Sequence, residues 1–133
     1  MIEQRIKSLL LADATIAAAV GSRITPIVMR QETGLPALVY RRLDSTPNYT
    51  LAGRGGWRTV IVQVACWADD YTEARILAEA VRQALDAYSE PSATGSIRFI
   101  SVGDGADEYA PEIEAFGAVA TLTIDYDDEA GTL

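Results

Sequence analysis

At 133 residues, 49% of them hydrophobic and 23% charged, the chain has the size and composition of one soluble domain, which excludes wholesale disorder and a two-domain layout. Its net charge of −8 is uneven: residues 1–98 hold all eleven bases and ten acids, whereas residues 99–133 hold nine acids and no base, the reverse of the basic footprint that nucleic-acid binding needs. Histidine is absent, which removes the commonest general base and zinc ligand and with them Ser-His-Asp and Cys-His catalysis.

Ile2, Ile6, Leu9 and Leu10 recur at helical spacing with Glu3, Gln4, Arg5 and Lys7 on the polar side, predicting a short amphipathic helix. Asp13 reads as the N-cap of a second short helix, Ala14 to Val20, closed by Gly21. The apolar stretch Leu9 to Val20 is too short to span a bilayer and is broken by Asp13, and Glu3 spoils a signal-peptide reading, so no membrane contact is expected. Pro26 and Gly34-Leu35-Pro36 predict an irregular connection containing a short extended piece at Ile24 to Met29.

Ala37 to Leu43 then predicts a strand. Trp57 to Trp67 is the strongest strand signal, with Val60, Val62, Val64 and Cys66 on an apolar face and Trp57, Thr59, Ile61, Gln63, Ala65 and Trp67 on a mixed one. Asp69-Asp70 reads as the cap of a helix from Tyr71 to about Tyr88, whose stripe is Ala74, Leu77, Ala78, Val81, Ala84, Leu85 and Tyr88. Glu90 to Ser96 is a turn region, and Ile97 to Val102 and Phe116 to Tyr126 predict two further strands. The expected fold is α+β, a mainly antiparallel sheet of about four strands with a long helix and a short N-terminal helix packed on it. One domain, 1–126, precedes an acidic, flexible tail, 127–133.

Candidates for chemistry are few. Cys66 lies on the valine face and reads as a buried, inert thiol. Gly53-Arg54-Gly55-Gly56 lacks the Lys-Ser/Thr pair and following helix of a phosphate loop, so it reads as a flexible loop between strands. Asp104, Asp107, Glu108, Glu112 and Glu114 form an acidic run whose spacing matches no EF-hand. The default reading is a solvated loop, with a divalent cation as the less favoured one. No cofactor or metal is assigned. Trp57 and Trp67 on the half-polar strand face suit either the core or a partner's surface.

Three stretches carry a resemblance: Leu9-Leu10-Leu11-Ala12-Asp13-Ala14; Gly21-Ser22-Arg23-Ile24; and Leu35-Pro36-Ala37-Leu38-Val39-Tyr40. Val62-Gln63-Val64-Ala65-Cys66-Trp67-Ala68 running into Tyr71-Thr72-Glu73-Ala74 and Ala78-Glu79-Ala80-Val81-Arg82-Gln83-Ala84-Leu85 extends it to residues 2–126. In order and spacing these elements resemble the phage tail-completion, or tail-terminator, proteins of long-tailed phages. The resemblance implies a virion subunit made in the bacterial host cytoplasm, related in fold to tail-tube subunits and without catalytic residues. It implies a homo-oligomeric, usually hexameric, ring between the major tail-tube protein and the head connector proteins, through which DNA passes unbound. Arg54, Trp57, Arg58, Trp67, Gly53 and Gly55 are the expected subunit contacts, and Asp104, Asp107, Glu108, Glu112 and Glu114 the expected channel lining. A small dimeric ligand-binding or regulatory α+β module remains the alternative, followed by a metal-dependent carboxylate enzyme.

Overall fold

Two long strands, residues 57–68 and 115–127, alternate over most of their length between buried and half-buried residues, and this decides the architecture. A computed structural model describes residues 2–21, 23–26, 34–50, 53–90, 97–112 and 114–127, with the backbone alone at 49–50 and 53–56. The elements are α1 (Ile2–Ala12), α2 (Ala14–Val20), β1 (Ile24–Pro26), β2 (Ala37–Thr50), β3 (Gly53–Ala68), α3 (Tyr71–Leu85), β4 (Ile97–Asp104), β5 (Glu108–Ala110) and β6 (Ala115–Asp127). The strand order is β1-β2-β3-β6-β4, with β5 also paired to β6. β1 runs parallel to β2 and the other pairs are antiparallel. The α+β class holds, but the expected four strands become a mixed sheet of six among the described residues.

Local chemistry sets the helix ends. The Asp13 carboxylate accepts hydrogen bonds from the amides of Thr15 and Ile16 at 3.0 and 3.1 Å, starting α2, and Gly21 ends it at φ +56°. Asp70 occupies the N-cap of α3 in extended backbone, but its side chain makes no capping bond, which corrects that part of the expectation. The helix also ends at Leu85, short of Tyr88, because Ala87 adopts φ +62° and turns the chain toward β4.

β2 and β3 run much further than their strand-forming residues predict. Residues 44–50 and 53–56 belong to a long hairpin, so Gly53, Arg54, Gly55 and Gly56 stand in β3 instead of a loop. Cross-strand pairing outweighs the weak strand preference of Pro47 and Gly53, opposite Arg58 and Thr50. The register shifts after Arg42, where Leu43 is an extra residue in β2, and again after Pro47, where Asn48 alone stands against Gly55, Gly56 and Trp57 of β3; Pro47 thus sits beside a bulge, where proline is tolerated.

Val60, Val62, Val64 and Cys66 of β3, Leu38 and Tyr40 of β2, and Ala118, Ala120, Leu122 and Ile124 of β6 form one buried sheet face. Ile2, Ile6 and Leu10 of α1, Ile16 and Val20 of α2, and Ala74, Leu77, Ala78, Val81 and Leu85 of α3 cover it. Each fully buried Val, Leu or Ile contributes about 1.5–3 kcal/mol. Glu3 is the charged exception, 7% exposed at the start of α1; Arg42 Nε lies 2.5 Å from its Oε1 as an ion pair without hydrogen-bond angles.

Candidate functional site

The opposite sheet face carries the features of a binding surface. Trp57, Thr59, Ile61, Gln63, Ala65 and Trp67 are all half-buried, as the period-2 alternation of β3 predicts once the helices occupy the other side. β6 adds Gly117, Val119, Thr121, Thr123, Asp125 and Asp127 in register, and β4 adds Phe99 and Ser101. The Trp67 ring lies across Gly117, where a Cβ would meet its Cζ3 at 3.0 Å. Gly105 approaches so closely that a Cβ would come within 2.5 Å of Val119 Cγ1, and its amide bonds the Val119 carbonyl at 2.8 Å.

At the other end of β3, about 33 Å away at strand rise, Trp57 carries the Arg98 guanidinium 5.0 Å above its ring. Arg98 Nε also donates to Asp127 at 2.8 Å. Thr59 donates to Asp125 at 2.6 Å and accepts from the Asn48 side chain at 3.0 Å. Arg58 projects to the helix side of the sheet, where its Nε and a terminal nitrogen donate to Ser45 Oγ at 3.3 and 3.2 Å. Of the expected contact residues, Trp57 and Trp67 therefore share the open face and Arg58 does not. Gly53 and Arg54 are placed by backbone register opposite Thr50 and Tyr49, Gly55 only by its place in β3, and the Arg54 side chain lies outside the described residues.

The five acids gather near one end of the sheet, all exposed. Asp104 ends β4, Glu108 pairs opposite Gly117, and Glu112 and Glu114 flank the turn into β6, Glu114 at φ +50°. Asp107 accepts from Tyr71 OH at 2.6 Å and from Arg75 at 3.2 Å, and Arg75 lies 3.9 Å from Asp104. The bond to Asp107, then desolvation, holds the Tyr71 hydroxyl above its ordinary pKa. Phe116 joins Tyr71 edge-on at 6.2 Å and Tyr109 at 4.9 Å. The sequence reading missed this aromatic and arginine cluster. Tyr71 and Arg75 at i, i+4 on one helix face were a usable signal, but the β5 pairing that brings Tyr109 to Phe116 was not.

Burial pushes the Cys66 thiol up to about 12, so at neutral pH it stays protonated and inert, as expected. Among the described residues no three metal-ligating side chains cluster. A hollow of about 220 Å³ lies between Leu9, Ala12, Asp13, Ala84, Leu85 and Tyr88, and one of about 80 Å³ between α2, Pro36 and α3. Neither gathers the convergent polar groups of a ligand site.

The family model described as Tail completion protein gp17 matches residues 4–127, nearly the whole chain. The chain belongs to the phage tail-completion family. It is accordingly a structural protein of the virion tail. In fold it is similar to a chain in the virion of a native gene transfer agent particle, with a TM-score of 0.70 at 17% identity over 92% of this chain and 91% of that one. No curated protein matches it in sequence. Among the described residues no helix is long and apolar enough to cross a membrane.

Proposed function

We propose that this tail-completion protein forms a hexameric ring that ends the tail tube. It contacts the major tail-tube protein on one side and head connector proteins on the other, leaving a channel for DNA. The observation that carries the proposal is the family match over residues 4–127. The two-faced sheet supports it, because helices cover one face while the other keeps Trp57, Ile61 and Trp67 half-exposed in the isolated chain. The role is mechanical, acting by assembly instead of turnover.

In this reading the hairpin residues Gly53, Arg54, Gly55, Trp57 and Arg58, with Trp67, meet neighbouring subunits. Asp104, Asp107, Glu108, Glu112 and Glu114 line the passage, where carboxylates repel phosphate and DNA slides without being held. Arg75 partly neutralises Asp104 and Asp107, so Glu108, Glu112 and Glu114 carry most of the repulsion. The test adds purified protein to tail tubes that lack it and images the tube ends. A cap at one end only, with an assembly mass near six times 14.3 kDa, is the expected result. A chain that stays monomeric and leaves both tube ends bare overturns the reading. Charge reversal of Arg54 and Arg58 together is expected to weaken assembly, most at low salt.

A further inference from the structure

We propose that Asp86–Glu90 is an autoinhibitory strap: it occupies the outer edge of β4 and keeps that edge from pairing with β4 of a second copy of this chain. The sheet ends at β4, and a bare strand edge is a template for another strand. Here the outward-pointing groups are taken from within the chain. Ile97 N–H donates to Glu90 Oε1 at 3.0 Å, and Glu90 N–H to the Ile97 carbonyl at 2.9 Å. Ile100 N–H donates to the Tyr88 carbonyl at 2.9 Å, Ala87 N–H to the Ile100 carbonyl at 2.8 Å, and Val102 N–H to Asp86 Oδ1 at 3.1 Å.

Beside these main-chain bonds, one side chain ties the strap to the rest of the fold. The Glu90 side chain, 9% exposed, accepts from Tyr88 OH at 3.0 Å and from Arg5 of α1, besides the Ile97 amide. Through Arg5 the strap is therefore tied to α1 as well as to β4. Ala87 keeps its left-handed backbone against its intrinsic preference, so the segment returns to other conformations once the anchor is lost.

A second copy is the occupant that the edge itself favours. From Phe99 to Gly103, β4 carries no charge and alternates Phe99, Ser101 and Gly103 with Ile100 and Val102. Phe99 is 45% exposed on the uncovered face. Two such edges side by side make an antiparallel, self-complementary contact that needs no other partner. This pairing joins sheets along the hydrogen-bonding direction, and the inference stands or falls independently of the ring.

The experiment compares the full chain with Glu90→Ala and Arg5→Ala, each also carrying Phe99→Cys for capture by a short bis-maleimide. The native Cys66 is buried and stays unreactive. Glu90→Ala is expected to speed amide exchange at Ile97 and Ile100 by about tenfold or more while Val62 and Val64 in β3 are unchanged. It is also expected to convert a chain that cross-links little into one that cross-links as dimers. Arg5→Ala gives the smaller version of both effects and serves if Glu90→Ala does not fold. Exchange that rises equally in β3 and β4, or an opened edge that yields no additional cross-linked dimer, overturns the proposal.

Discussion

The two faces of one sheet use the same strands for opposite purposes. Under the helices, β3 and β6 present Val60, Val62, Val64, Leu122 and Ile124 with no exposure. One residue along, the same strands present Thr59, Ile61, Gln63, Thr121 and Thr123, half-exposed and uncharged. The first set stabilises the subunit, whereas the second leaves apolar area in contact with solvent in the isolated chain. Burial thus separates the residues that hold the fold together from those that stay accessible on its surface.

Truncation measures that separation most directly. Leu122→Ala is expected to cost about 2–5 kcal/mol in urea unfolding, against less than about 1.5 kcal/mol for Ile61→Ala on the open face. Equal costs would show that the open face is a second core and break the comparison.

Acid tests the covered side next. Burial alone pushes the Glu90 carboxyl up, but hydrogen bonds from the Ile97 amide, Tyr88 and Arg5 outweigh it and hold the group below its ordinary value. Its contribution is therefore full above the unfolded pKa and lost as pH falls through the lower folded value. Glu90→Gln is expected to lower stability at neutral pH and to flatten the acid limb of the stability profile. An unchanged acid limb would remove Glu90 from the account.

Smaller effects belong to the open face. Trp67→Ala is expected to cost the isolated subunit about 1–2 kcal/mol and to reduce incorporation into tails by more than that loss explains. Arg98→Gln, which removes the cation above Trp57 and the bond to Asp127, should cost about 1 kcal/mol or less. A thermal shift as large as that of Leu122→Ala would place the Trp57 end in the core.

Legibility in the sequence follows the same divide. The valine alternation of β3, the α3 stripe and the β6 alternation were readable because each depends on periodic burial against one core. The parallel pair β1-β2 depends on a long-range contact that no local period encodes. β5 is three residues, Glu108-Tyr109-Ala110, amid acids, and exists because β6 offers it a partner. The hairpin beyond Leu43 was hidden by turn-forming residues whose pairing is decided across the strand. For the site, the half-polar face was visible but its anchors were not: Arg98 over Trp57, Arg75 on Asp107 and Arg5 on Glu90 join residues far apart in the chain. Of the expected flexible tail, 127–133, Asp127 pairs with Trp57 as the last residue of β6 and 128–133 fall outside the described residues, as do the extension at 27–29 and most of the turn at 90–96.

The β2–β3 hairpin also sets a length. Sixteen residues of β3 at strand rise reach about 53 Å, more than the roughly 36 Å diameter of a compact chain of this size. Among the described residues β6 accompanies β3 as far as Trp57 opposite Asp127, and residues 53–56 carry β3 further, with Gly53 and Arg54 paired to β2. Adding or deleting one residue pair there changes the span by about 3.3 Å and touches no side chain of the helix-covered core. The protein's reach can therefore be lengthened or shortened by evolution or by design as an independent dimension, with the fold's stability left nearly constant.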